Sequence, residues 1–166
     1  MNQKQFLALL EPLQAKLFGF AYRMLRNEEG AKDAMQELTY RLWKRRKKLN
    51  TNQNISAYCF QMMHNICIDE IRYNKVKELS SRQKPRPDGE SPEVAQDHQE
   101  LITRIRKAVD QLPEKQKVII ELHDFQEFSH KEIAEILKME VNAVRVNLSR
   151  ARSKIQAQFK KEEIYE

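Results

Sequence analysis

Glycine is scarce in this chain, three residues in 166, and no Val/Ile-rich alternating run bounded by turn residues occurs in it. Sheets need such runs, so an all-α fold is expected. No apolar stretch approaches the roughly 18 residues that span a bilayer. The opening MNQKQFLALLEP also lacks the basic-then-apolar layout of a secretory signal, and the expected location is the cytoplasm. Cysteine is limited to Cys59 and Cys67. They form neither a CxxC pair nor a zinc ligand set, and are expected to be reduced, buried small residues. No metal site or cofactor is indicated. Neither a Ser, His and Asp grouping nor a pair of carboxylates has a catalytic layout, which argues against an enzyme. His123 and His130 are expected to be polar surface residues.

What the chain has in quantity is charge. Charged residues make up 33% of it and the formal net charge is +6, against a globular average of about 25% charged. The basic balance, with a pI near 9.3, suits a polyanionic partner or an acidic membrane surface. The length favours two small helical domains over one large core. Apolar residues recur at helical spacing in three series: Phe6, Leu10, Leu13, Leu17, Ala21 and Met24, then Ala31, Met35, Leu38 and Leu42, then Ile55, Cys59, Met62 and Ile66. Asn27 to Gly30 and Leu49 to Asn54 separate them. From Lys75 to about Gln96, Pro85, Pro87, Gly89 and Pro92 fall among mixed charges with little to bury, the composition of a flexible linker. Leu101, Ile105, Ala108 and Leu112 then begin a second helical set, and Pro113 suits the first turn of a helix carrying Val118, Ile119 and Leu122. The expected organisation is a three-helix domain over residues 1–75, a joint over 76–97 and a four-helix domain over 98–166.

The segment SHKEIAEILKMEVNAVRVNLSRARSKIQAQF, from Ser129 to Phe159, reads as a helix-turn-helix. Ser129 is a good N-cap and Glu132 completes a capping box, so a helix is predicted from His130. Ile133, Ile136 and Leu137 give it an apolar stripe, and Ala134 is small where two helices must cross closely. Lys138 to Glu140 is the predicted turn. Glycine is usual at such a turn, so Lys138 implies either left-handed strain of roughly 1 to 2 kcal/mol or a different geometry. In the second helix Val144, Leu148, Ala151 and Ile155 are predicted to form one buried seam. The opposite side carries Asn142, Arg145, Val146, Asn147, Ser149, Arg150 and Arg152. Such a helix enters the major groove of duplex DNA. Arg145 can present a fork to guanine and Val146 can touch a thymine methyl, while Arg152 and Lys154 are placed to neutralise phosphates.

With these features the chain resembles the sigma-70 family of bacterial RNA polymerase sigma factors, in its short extracytoplasmic-function group. Residues 31–46, AKDAMQELTYRLWKRR, resemble the family segment that binds the clamp coiled coil of the polymerase β′ subunit. The resemblance assigns this contact to Asp33, Gln36 and Glu37, which share a helical face opposite Ala34, Leu38 and Leu42. Lys32 stands where the family has an acidic residue, either weakening an acidic contact or making a solvated change. Residues 57–75, AYCFQMMHNICIDEIRYNK, resemble the helix that holds the melted minus-10 element. Asn65, Asp69 and Arg72 match its signature, and the implied contacts are Asn65, Arg72 and Lys75, helped by Lys77 and the run from Lys44 to Lys48. A pocket for a flipped base is expected at Leu49 to Ser56 beside Asn65. Tyr73 and Asn74 replace common arginines, and Tyr58 is expected in the core.

The stretch from Leu112 to Arg152 resembles the family's minus-35 reader nearly without gaps. It makes Arg145, Val146, Ser149 and Arg150 the candidate base readers, with Asn142 and Asn147 near the backbone. The resemblance implies core RNA polymerase, through its β′ clamp coiled coil and β flap, and promoter DNA as partners, with an anti-sigma factor as a further family expectation. The alternative is a polymerase-independent helix-turn-helix regulator whose N-terminal bundle dimerises.

Overall fold

In the computed structural model, residues 1–51, 53–81 and 97–165 are described, and among them the backbone forms seven α-helices and no strand. They fall into two units, Met1–Asp88 and Gly89–Glu166, each with its own core.

In the first unit, Asn2 starts α1 (Gln3–Leu25) with a capping box: its side chain accepts from Gln5 N at 2.9 Å, and Gln5 Oε1 accepts from Asn2 N at 3.0 Å. The helix continues through Pro12, an exposed position. Asn27 caps α2 (Glu28–Arg45), accepting from Gly30 N at 3.0 Å, and Glu28 and Glu29 complement the positive end of the helix dipole. The separator expected at Asn27 to Gly30 is therefore mostly helix. Asn54 likewise caps α3 (Ile55–Ser81) through Ala57 N at 3.0 Å.

The three helices pack pairwise around Leu10, Leu17, Phe20, Ala31, Leu38, Leu42, Phe60 and Met63. Phe20 meets Phe60 edge-on, with ring centroids 5.4 Å apart. Of the residues expected inside, Leu13, Met24, Met35 and Ile55 are only half-buried. The joint expected over 76–97 does not begin at 76. α3 runs through Ser81 because the segment Val76 to Ser81 contains neither Gly nor Pro, and its helix therefore persists although Val76 and Leu79 stay exposed. The remainder of that segment, 82–96, lies outside the described residues.

The second unit comprises α4 (Asp97–Asp110), α5 (Glu114–Ile120), α6 (His130–Leu137) and α7 (Val141–Tyr165). Pro113 is the cap before α5 rather than a member of its first turn. The helix does not stop at Ile120 but widens into a π-helical turn over Glu121–Phe125, with Gln126 N donating to Glu121 O at 3.1 Å. α7 packs against α4, α5 and α6, and it buries Val144, Leu148 and Ala151. Ile155 and Ile105 are half-buried, and Leu101 is exposed.

The expected start of α6 is observed: Ser129 Oγ accepts from Glu132 N at 3.1 Å, and Glu132 Oε1 accepts from Ser129 N at 3.2 Å. Lys138 ends that helix with φ 53° and ψ 54°, so the left-handed alternative holds. A lysine there carries roughly 1 to 2 kcal/mol of strain, whereas glycine would lose roughly 0.5 to 1 kcal/mol of extra chain entropy. Lys138→Gly is expected to stabilise the protein by about 0.5 to 1 kcal/mol. The check is the midpoint of urea unfolding, and an unchanged or lower midpoint would exclude strain at this turn.

Both cysteines are free and buried in α3, as expected. Burial pushes the Cys59 thiol up to about 11, and burial followed by the charge of Glu70 pushes Cys67 up to about 12. With so little thiolate near pH 8, both are expected to react with a thiol reagent at least about a hundredfold slower in the folded protein than in denaturant. Stopped-flow labelling measures this, and rapid folded-state reaction at either position would show that it opens to solvent.

Candidate nucleic-acid interface

A helix step of 100° per residue divides α7 into sides once Val144, Leu148 and Ala151 are buried. Asn142, Val146 and Ser149 lie at the centre of the outward side, and all three are exposed. Arg145 and Arg152, seven residues apart, line one edge of it, and Arg150 lies on the other; these arginines are also exposed. Ser129 and Glu132, by fixing the start of α6, and Lys138, by turning the chain, set the entry into α7. The N-terminal half of α7 is thus presented with a mixed cationic and polar face suited to base edges and phosphates.

Two residues expected on that face are already engaged. Asn147 is half-buried and donates from Nδ2 to Ala143 O of its own helix at 2.8 Å. Arg152 donates from Nη2 to Asp124 Oδ1 at 2.6 Å, across to the π-helical turn. Burial pushes the Asp124 carboxyl up, but hydrogen bonds from Arg152 and His123 outweigh it, and the net effect holds it below its ordinary range. Apolar periodicity carries no sign of this brace, because it depends on the extra residue of a π turn.

His123 and His130 are more than separate surface residues. Their rings stack with centroids 4.9 Å apart and planes 25° apart. His123 Nδ1 lies 2.8 Å from Asp124 Oδ1 and 3.2 Å from Arg152 Nη2. Partial desolvation, then the positive charges of His123, Arg145 and Arg152, hold the His130 imidazole below its ordinary range. The edge of α7 that bears Arg145 and Arg152 is therefore electrostatically continuous with the start of α6.

In the first unit, Asp33 and Gln36 are exposed on α2, and Glu37 beside them is half-exposed. Ala34, Leu38 and Leu42 are buried on its other side, as the spacing predicts. Glu37 Oε1 accepts from Arg41 Nε at 2.5 Å. Lys32 bridges Glu28 and Glu29 at 3.5 Å each, and the charge of Glu29, then of Glu28, raises its pKa. It is a solvated cation tied to the first turn of its own helix.

Beyond that face the end of α2 interleaves cations and rings. Lys44 Nζ lies 4.9 Å from the centroid of the exposed Tyr40 ring, and the Arg46 guanidinium stacks 4.0 Å from that of Trp43. Arg45 donates to Tyr58 Oη at 3.1 Å, so the half-buried Tyr58 is neither a full core anchor nor a free platform.

On α3, Asn65, Asp69, Arg72 and Lys75 are all exposed, with Asn65 and Arg72 two turns apart on one side. His64 next to Asn65 is largely buried, and its Nδ1 has no hydrogen-bond partner. Burial lowers its pKa, and the polar side chain of Asn65 offsets part of this. Of the stretch expected to form a base pocket, Asn50, Thr51, Gln53 and Asn54 are exposed, and Asn52 lies outside the described residues. Gln53 N donates to Asn50 O at 3.0 Å, which closes a turn just before the α3 cap.

The comparisons with known proteins assign both units. The family described as Sigma-70 region 2 matches residues 9–76, and that described as Sigma-70, region 4 matches residues 102–155. The ECF RNA polymerase sigma factor SigW of Bacillus subtilis (strain 168) is 28% identical, covering 96% of this chain and 91% of its own. RNA polymerase sigma factor SigV of the same organism is 26% identical, over 89% of this chain and 86% of that protein. Among solved structures, the sigma factor RpoE in complex with the anti-sigma factor NepR, from Bartonella quintana, shares the fold with a TM-score of 0.81. It is 21% identical and covers 95% of this chain and 98% of its own. With both regions present in order on one polypeptide, the chain belongs to the sigma-70 family of RNA polymerase sigma factors, in the extracytoplasmic-function group.

Proposed function

We propose that this protein is a dissociable initiation subunit that binds core RNA polymerase, brings it to selected promoters and helps open them. The observation that carries the reading is the presence of both sigma regions, with an exposed polar face on α2 in the first and an exposed cationic helix in the second. Asp33, Gln36 and Glu37 form the contact to the β′ clamp coiled coil, and the second unit meets the β flap. Asn65, Arg72 and Lys75 hold the opened minus-10 strand. Asn142, Arg145, Val146, Ser149 and Arg150 read or flank the minus-35 element, with Asn147 and Arg152 in supporting positions. Residues 1–75 and 98–166 carry these two activities separately.

The protein catalyses no reaction itself; nucleotide addition belongs to the polymerase. Among the described residues no helix is long and apolar enough to cross a membrane, and the work is done in the cytoplasm. Two neighbours in fold, RpoE with NepR and CnrH with the cytosolic domain of CnrY, are each seen with a partner. An anti-sigma factor is therefore part of the proposal.

Run-off transcription from a genomic library with core polymerase of a related bacterium tests the reading, because specific transcripts are expected only when the chain is added. Reversing charge with Asp33→Lys and Glu37→Lys together is expected to abolish those transcripts while duplex binding persists. Undiminished transcription by this variant would move the polymerase contact away from α2, whereas specific duplex binding without any chain-dependent transcript would instead favour a polymerase-independent regulator. On a promoter identified in this way, Arg145→Ala is expected to cost about 1 to 3 kcal/mol of discrimination at one base pair. Competition binding with singly substituted duplexes measures it, and uniform weakening at every position would reassign Arg145 to phosphate.

A further inference from the structure

The cluster around the π-helical turn gathers four groups that are or can become cationic, against one carboxylate. Arg145 and Arg152 come from α7, His130 from α6 and His123 from the turn, and Asp124 is the carboxylate. We propose that His130, with His123 and Arg152 beside it, forms a proton-linked binding site for a backbone phosphate of duplex DNA, next to the base-reading Arg145. This rests on the DNA-binding reading of the second unit and adds to it a specific site, a ligand group and a pH dependence.

The geometry contains two mutually exclusive arrangements. Arginine has no acceptor, so His123 Nδ1 accepts from Arg152 Nη2 at 3.2 Å only when that ring nitrogen is unprotonated. When Nδ1 carries a proton it donates instead to Asp124 Oδ1 at 2.8 Å. The second arrangement, which needs only a hydrogen on Nδ1, frees Arg152 from His123 and leaves Asp124 paired with both side chains. Arg152 stays anchored through Nη2, its side chain is 53% exposed, and its other N–H groups remain to meet an anion. An imidazolium stacked on an imidazole beside two guanidiniums is unfavourable alone, and a phosphate in the same place removes that cost.

The charges acting on His130 come from each element around it. They are His123 from the turn and Arg145 and Arg152 from α7, all positive or able to be. On α6 itself, Glu132 is committed to the cap at Ser129, Lys131 adds a further positive charge, and Glu135 is exposed. Asp124 is shared between Arg152 and His123. The charges that shift His130 are thus all of one sign.

The sign follows from linkage. The folded, DNA-free protein holds His130 below its ordinary value, so its contribution to stability is present above the ordinary imidazole pKa of about 6.5 and is lost as pH falls. A bound phosphate acts in the opposite direction, raising the pKa, so the complex takes up a proton and tightens as pH falls.

The test uses the full chain and a labelled random-sequence duplex at low salt, with affinity read by fluorescence anisotropy. The wild type is expected to bind about tenfold more tightly at about pH 6 than at about pH 8. His130→Gln is expected to reduce the gain to less than about twofold. Proton NMR of the imidazoles gives a second readout that does not depend on the variant folding, since the His130 midpoint should rise when duplex is added. A wild-type affinity that is flat across this range, an unreduced gain in His130→Gln, or an unmoved His130 midpoint would each overturn the proposal. If the duplex binds while any of these holds, only the phosphate site is lost. If no duplex binds at either pH, the DNA-binding reading is lost with it.

Discussion

The way α7 presents itself depends on one buried seam. Val144, Leu148 and Ala151 are buried where α7 packs against α4, α5 and α6. Burying a valine or leucine contributes about 1.5 to 3 kcal/mol. A rotation of α7 large enough to hide Arg145 or Val146 would expose that seam. The identity of the outward residues can vary without loss of fold, because none of Asn142, Val146 or Ser149 is needed to hold the helix. Ala151 is the narrowest constraint, since a larger side chain at a fully buried position would force the helix away from its neighbours.

The turn before α7 bears the cost of this placement. Ser129 and Glu132 satisfy donors at the start of α6, and Lys138 accepts a left-handed backbone at its end. Arg26 and Glu127 also have positive φ, so among the described residues the chain reverses at three places without glycine. The scarcity of glycine that points to an all-α fold therefore has a local consequence. These reversals hold because the flanking helices over-determine them.

Much of this is legible from residue type and spacing. The capping box, the start of α6, the turn at Lys138 to Glu140, three members of the α7 seam and the opposed sides of α2 all follow from short-range rules, and all are observed. Spacing misleads where a non-local or subtle backbone choice intervenes. Asn27 caps a helix inside a stretch whose composition reads as a loop, and α3 outruns its apolar period because no Gly or Pro interrupts it through Ser81. The π turn is not visible in any periodicity. With it go the bond from Arg152 to Asp124 and the stack of His123 on His130, which joins residues whose positions in the chain suggest only that they are polar. Asn147 is a different case, since its amide finds an acceptor one turn back in its own helix.

Neither candidate surface carries the features of a strong isolated interface. The α2 face offers Asp33, Gln36 and Glu37, with Tyr40 as its exposed ring, and Glu37 is already shared with Arg41. The α7 face is polar, and its contribution is electrostatic in large part, which salt screens. Small units with exposed polar contacts bind weakly one at a time. Covalent connection changes this: once one unit is seated, the second binds at an effective concentration fixed by the chain between them. The same arithmetic makes binding easy to interrupt, because blocking either face removes the advantage of both. A protein built this way can hold its target firmly during initiation and still be released by losing a single set of contacts.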